Sequence, residues 1–227
     1  MLFRSNGPGS SPEAIVAALQ KFAAEKNIAK GEMIQAYGYD DNMMPKGVLL
    51  NRDHLDKAFP DNPVVVGHVS MHGAVLNSIA LKQFGYDANY KTPEGGIVVR
   101  KPGTNEPYGL IMETAYLPVH NGMPSLQQSQ EVAATRAGQM MYAEAGITLA
   151  QEGISKLSEI QTMKRAADSG ANIIDVVSFA AFTELDAIEK AFPVNSWGTF
   201  NNRIKIGGVK ITADGSPQGR TAFFSTP

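Results

Sequence analysis

From residue 125 to residue 214 the sequence switches repeatedly between two periodicities, and few folds satisfy that alternation. SLQQSQEVAATRAGQMMYAEAG reads as a long helix capped by Ser125 and closed by Gly146. ITLAQEG follows as a strand, SKLSEIQTMKRAADSG as a helix, NIIDVVSFAAF as a strand, TELDAIEKAF as a helix and GVKITADG as a strand. Helices inserted regularly between short apolar strands mark βαβ units, whose strands run parallel. About three such strands fit, and no repeat at a fixed period points to a solenoid.

The chain up to about residue 120 has a different rhythm. Ser11, Pro12 and Glu13 open an amphipathic helix that runs to about Asn27. GEMIQAYGYD reads as a strand entering a polar turn, NRDHLDKAF as a short capped helix ending at Pro60, and NPVVVGHVS as a β-branched strand. HGAVLNSIALKQFGY reads as another helix, and GGIVVRKPG with GLIMETAY as a hairpin about the turn TNEPY. This part mixes strands and helices in α+β fashion.

Composition narrows the function classes. A formal net charge of −2 over 227 residues gives no basic footprint for nucleic acid. Cysteine is absent, which removes disulfides, thiolate metal ligands and a cysteine nucleophile. The longest apolar run, NIIDVVSFAAF, is interrupted by Asp175 and is far shorter than the ~20 residues of a membrane span. MLFRSNGPGSSP lacks the apolar core and cleavage site of a signal peptide, so the default expectation is a cytoplasmic chain.

The loop GSPQGRT excludes a phosphate cradle. A Walker loop needs four residues between its glycines and then a lysine, whereas Gly215 and Gly219 enclose three and Arg220 follows. Pro217 also removes a backbone donor from a loop that would have to donate. The strand before it says more. Alternation places Val209 and Ile211 on one face and Lys210, Thr212 and Asp214 on the other. On an open strand that polar face meets solvent; in a closed parallel barrel it points inward, burying the lysine near the strand end where barrel active sites are built.

Four segments in order, VVVGHVSMHGAVLNSIAL, GLIMETA, YAEAGITLAQEG and GGVKITADGSPQGRTA, resemble metal-dependent hydrolases of the amidohydrolase superfamily, in the branch that includes N-substituted formamide deformylase. The resemblance runs from about residue 30 to the end. It implies an α/β protein, a partial (β/α)8 TIM barrel of about strands two to four, with an α+β insertion domain over 1–122 and the barrel part over 123–227. It also implies hydrolysis of a C–N bond in an amide- or formamide-type small molecule by water activated on a divalent metal, zinc by expectation. The superfamily's His-x-His metal pair has no counterpart among the four histidines, His54, His68, His72 and His120. Its later histidine and aspartate ligands would lie beyond Pro227, so the chain is expected to be incomplete as a catalyst. The alternative is a binding module, or a truncated relative that keeps the fold without the ligands.

By position in these motifs, Lys210 is the candidate metal ligand, as a carboxylated lysine bridging two cations; desolvation would prepare its amine for CO₂. A buried lysine paired with Asp214 is the other reading. Asp214 and Glu113 are the candidate catalytic carboxylates, Glu113 being alternatively a surface helix cap. His72 matches a histidine near the substrate pocket, or forms a local hydrogen bond at a helix start; His68 reads as a satisfied core residue. Gln151, a candidate substrate-binding residue, and Glu152 are placed at the end of a barrel strand, where many relatives carry a His-Asp pair. Arg220 is a candidate for a substrate carboxylate or a loop cap. Open edges of a three-stranded parallel sheet imply self-association, hence a homo-oligomer.

Overall fold

The structure is a computed structural model and describes residues 9–124, 127–215 and 222–223. Pro124–Ala213 form one compact unit; the described residues on either side of it form the other.

In the first unit, Ser11 caps α1 (Pro12–Glu25) by accepting from the Ala14 N–H at 3.1 Å, and Pro12 fills the first turn, where its missing N–H costs nothing. Ile15 and Leu19, one helical turn apart, are fully buried. Then follow β1 (Ile34–Tyr39), α2 (Arg52–Ala58), β2 (Val64–His68), β3 (Gly73–Leu76), α3 (Ser78–Gln83), β4 (Gly96–Arg100), β5 (Pro107–Glu113) and α4 (Leu117–Gly122). The strands make one sheet in the order β1-β2-β3-β5-β4. β1 and β2 are parallel and the other pairs antiparallel, β4 and β5 forming the hairpin foreseen from the sequence. Both faces are covered. Val64, Val66 and Val75 pack with Ile15, Leu19 and Leu55, while Val65, Ala74 and Leu76 pack with Leu81, Ile111 and Val119. A strand buried on both faces reads as a continuous apolar run, which is why VVV stands in β2.

The single helix expected over HGAVLNSIALKQFGY is corrected. Gly73–Leu76 is a strand between β2 and β5, and only Ser78–Gln83 is helical. A Cβ on Gly73 would lie 2.5 Å from the Ile111 carbonyl oxygen, so this glycine marks a close backbone approach rather than a helix start. Pairing on both edges outweighs the helical pattern of Ala-Val-Leu.

The second unit contains α5 (Gln128–Glu144), β6 (Leu149–Ser155), α6 (Leu157–Asp168), β7 (Asp175–Ala181), α7 (Leu185–Ala191) and β8 (Ile204–Lys210). The strands pair in the order β6-β7-β8, both pairs parallel, as the alternation predicts. Ile160 of α6 and Ile188 of α7 bury against Ala180 and Ile206. The cap of α5 differs from expectation: Ser125 lies outside the described residues, and Gln127 is the capping residue, its N–H donating to Gln130 Oε1 at 3.3 Å. Gly146 stops the helix as foreseen, with φ of 78°.

The third strand is shifted. It begins at Ile204 and ends at Lys210, opposite Ala181, the last residue of β7. Beyond Ala181 there is no partner to continue the ladder, so Ile211 to Asp214 leave the sheet and Ile211 is 69% exposed. Lys210, Thr212 and Asp214 therefore do not share a strand face.

Candidate functional site

Two histidines lie close together in the first unit because β2 turns back into β3. His68 ends β2 and is buried beside Tyr39, ring edge to ring face at 5.7 Å. Its Nδ1 accepts from the Ser70 N–H at 3.1 Å and lies 2.7 Å from Ser70 Oγ. A backbone N–H can only donate, so Nδ1 carries the lone pair, and in the neutral ring Nε2–H donates to Asp41 Oδ1 at 3.1 Å. Ser70 Oγ in turn accepts from the His72 N–H at 3.2 Å. This bears out His68 as a satisfied core residue.

His72 stands just before β3, not at a helix start. Its Nδ1 lies 3.1 and 3.0 Å from the two carboxylate oxygens of Glu113, and the Glu113 N–H donates to the His72 carbonyl at 2.8 Å. The two residues are 41 positions apart and meet because Gly73 of β3 pairs with Met112 of β5. A carboxylate accepts only, so Nδ1–H points at Glu113 and the neutral ring presents Nε2 as its acceptor. A base oriented by a carboxylate through its other nitrogen is the arrangement of proton-transfer sites. Side-chain exposures of 30% for His72 and 19% for Glu113 leave the pair open to a ligand. Glu113 makes no side-chain cap to the turn after it, so the capping reading falls.

The backbone here is strained. Glu113 has φ 55° and ψ −134°, a region occupied almost only by glycine, and Met71, next to His72, has φ 65°. Such conformations cost about 1–3 kcal/mol each and cluster where function requires them.

The remaining sequence candidates are not brought to this pair. Lys210 is exposed at the end of β8, as the open-strand alternative of the sequence reading has it. Asp214 is exposed and accepts from the Phe223 N–H at 3.0 Å. Gln151 and Glu152 are the third and fourth residues of β6, which continues to Ser155, so they stand mid-strand and not at its end. Local burial still pushes the Glu152 carboxyl above its usual range, opposed by the Ile154 backbone hydrogen bond and reinforced by Glu159, although its surface as a whole is exposed. Arg220 lies outside the described residues.

Among the described residues, Asp40, Asp41 and His68 are the one group of three acidic or imidazole side chains whose ligand atoms lie within 4.8 Å of one another. Two carboxylates and an imidazole suit a divalent cation by donor type. Their hydrogen bonds do not yet suit it: Nε2 holds the proton that points at Asp41 and Nδ1 is engaged by the Ser70 N–H. Holding a cation there requires the other tautomer, with Nδ1–H turned to Ser70 Oγ and the Ser70 N–H bond given up.

Sequence reasoning missed Asn77, which is fully buried. Its Oδ1 accepts from Val64 N–H at 2.9 Å and Ala80 N–H at 3.0 Å; its Nδ2 donates to the carbonyls of Asn62 at 2.9 Å and Phe59 at 3.4 Å. Asn before Ser-Ile-Ala-Leu is a helix-cap signal that the single-helix reading obscured.

Comparison with known proteins gives a consistent result. The model of the amidohydrolase family matches residues 1–227. The chain is 26% identical over 226 residues to "Putative amidohydrolase YtcJ" of Bacillus subtilis (strain 168), covering 96% of the chain and 41% of that protein. It is 25% identical over 214 residues to "Protein LONG AFTER FAR-RED 3" of Arabidopsis thaliana, covering 88% of the chain and 36% of that protein. The chain thus spans less than half the length of these curated relatives. Its fold is similar to those of uncharacterized metal-dependent hydrolases from Pyrococcus horikoshii OT3, with a TM-score of 0.59 at 22% identity over 97% of the chain and 41% of the other, and from Pyrococcus furiosus, with 0.57 at 20% over 100% and 42%. With a family model matching from first residue to last, the chain belongs to the amidohydrolase family.

Proposed function

We propose that the chain is part of a divalent-metal-dependent hydrolase that cleaves a C–N bond of an amide- or formamide-type small molecule. The observation that carries this reading is the family match over residues 1–227. The sequence resemblance to the N-substituted formamide deformylase branch supports the bond type. In the same reading residues 1–122 are an insertion domain, and 123–227 supply three successive strands of a (β/α)8 barrel, for which the parallel order β6-β7-β8 is the support. No helix among the described residues is long and apolar enough to cross a membrane.

A bound cation, zinc by expectation, would supply hydroxide at neutral pH. The residues of this chain have other tasks. His72, held through Nδ1 by Glu113, offers Nε2 to a substrate N–H or to a proton in transit. Lys210 ends a parallel strand, on the side where such sheets carry their sites, and is the proposed anionic ligand once carboxylated. Its exposed amine fits that role only where further chain desolvates it.

In the intact protein, Lys210→Ala is expected to remove bound metal and turnover together, read by metal analysis of the purified protein and an amide-hydrolysis assay. Wild-type protein without divalent metal, or full turnover in Lys210→Ala, would overturn this assignment. The first outcome favours the second reading, a binding module, which the self-satisfied state of His68 supports. Self-association of the chain is also proposed. Leu149 and Ile154 on edge strand β6 are 51% and 46% exposed, an edge that monomeric proteins normally cover.

A further inference from the structure

Both sequence neighbours of His72, Met71 and Gly73, line a slot in the first unit with a volume of about 260 Å³. Its origin lies in the sequence. Tyr37 and Gly67 are partners in the parallel β1–β2 ladder, and a Cβ on Gly67 would lie 3.3 Å from Tyr37 Cδ2. Gly67 has no left-handed backbone to excuse it, and a glycine inside a strand costs about 0.5–1 kcal/mol relative to alanine. Its missing side chain lets the Tyr37 ring pack directly on the backbone, and the two form the floor and one wall of the slot. Gly73 completes the floor. Tyr37, whose hydroxyl donates to the Val69 carbonyl at 2.8 Å, makes a fixed wall, with Tyr116 and Met123 among the other walls. Met71, 60% exposed and strained, stands at the lip.

We infer that this slot binds one uncharged aromatic ring of the ligand whose polar group meets His72 and Glu113. Tyrosines apart, its polar side chains are Gln35 and His68, the latter held by Ser70 and Asp41, and no carboxylate, ammonium or guanidinium group lines it, so a charged moiety would find no counter-charge there. Tyrosine faces and methionine sulfur favour aromatic contacts. A cavity of about 150 Å³ accepts benzene, so this one holds a single ring with a short substituent. Gly67 pairs with Ala74, two residues beyond His72, so period-2 alternation puts the imidazole on the slot's side of the sheet and the substituent toward it. The inference deepens the hydrolase reading and rests on it only in naming that substituent an amide; the ring site stands on geometry alone.

The test is a titration of the ¹⁵N-labelled chain, followed by amide shifts, with benzamide, with acetamide as the ring-free probe and with benzyl alcohol as the amide-free probe. Both aromatic probes are expected to move the signals of Tyr37, Gly67 and Gly73, and acetamide to leave them in place. Gly67→Val, which fills the floor, is expected to weaken both aromatic probes by at least about tenfold, the loss of roughly half a ring's buried contact. Because that variant can disturb the strand, Met71→Gly is the second; it relieves a positive φ, lies outside the strand ladders, and is expected to weaken both aromatic probes severalfold by removing the lip. Unchanged affinity in both variants, or shifts grouped around Phe192 and Trp197 in the second unit, would overturn the site. Aromatic binding alongside a metal-free parent protein would retain the slot and sink the hydrolase reading; turnover without ring binding would do the reverse.

Discussion

Asn77→Ala is expected to destabilise the first unit by about 3 kcal/mol or more, measured by urea denaturation followed by circular dichroism. The side chain is fully buried and all four of its hydrogen-bonding positions are used. Removing it orphans two backbone N–H groups and two carbonyls, and each buried unsatisfied group costs about 1–3 kcal/mol, reduced where water enters. The bonds also join three elements: the start of β2, the end of the α2 turn and the start of α3. Asn77→Asp separates the two halves of the side chain. It keeps the acceptor for Val64 and Ala80 but turns an oxygen toward the two carbonyls. When that carboxyl is protonated it still has an O–H to donate; when ionised it only repels. Burial raises its folded-state pKa above the unfolded value, so the variant is stable below the unfolded pKa and loses stability as pH rises through the folded one. A greater loss at pH 8 than at pH 5 is expected. A loss under about 1 kcal/mol for Asn77→Ala would show that the network is dispensable.

Glu113→Gly is expected to move stability and activity in opposite directions. Glycine adopts φ 55°, ψ −134° without penalty, so the variant relieves about 1–3 kcal/mol of strain. Against this stands up to about 1 kcal/mol of additional chain entropy and the lost contact to His72. The net expectation is a gain of about 1 kcal/mol in the same denaturation experiment. In the intact protein, on the hydrolase function proposed above, the same change frees the His72 ring from its orienting carboxylate and is expected to lower kcat by about 10²-fold or more, the scale of general acid–base catalysis. Glu113→Gln keeps the strain and one hydrogen-bonding oxygen, and should fall between. Turnover within a factor of a few of wild type would remove Glu113 from the site, whatever the stability.

The second unit was legible because each of its elements carries its own period: Ile160 and Ala167 belong to one helix stripe, Val176 and Ala180 to one strand face. The end of β8 was not, because VKITAD alternates well past the point where β7 runs out of partners at Ala181. A strand's length is set by its neighbour as much as by its own residues. The same holds for β3, where Ala-Val-Leu fits a helix or a strand until β2 and β5 are placed on either side. Individual site residues were visible, but not their partners. His72 and Glu113 were read separately, and Asp41 was not read at all, since nothing local records that a residue 27 positions before His68 returns to its ring.

The attachment of α5 has a thermodynamic consequence. Along this 17-residue helix the one buried residue is Gln139, whose Oε1 accepts from the Ile173 N–H at 2.8 Å and whose Nε2 donates to Asn172. Arg136 reaches the Ala171 carbonyl at 3.2 Å, and Glu131 pairs with Arg165 of α6. Polar tethers hold the helix where a greasy stripe normally would. Its release therefore uncovers little apolar surface, and carries little of the heat-capacity change or denaturant sensitivity that mark unfolding of the rest. Heat and salt, more than urea, are the variables to which this helix answers.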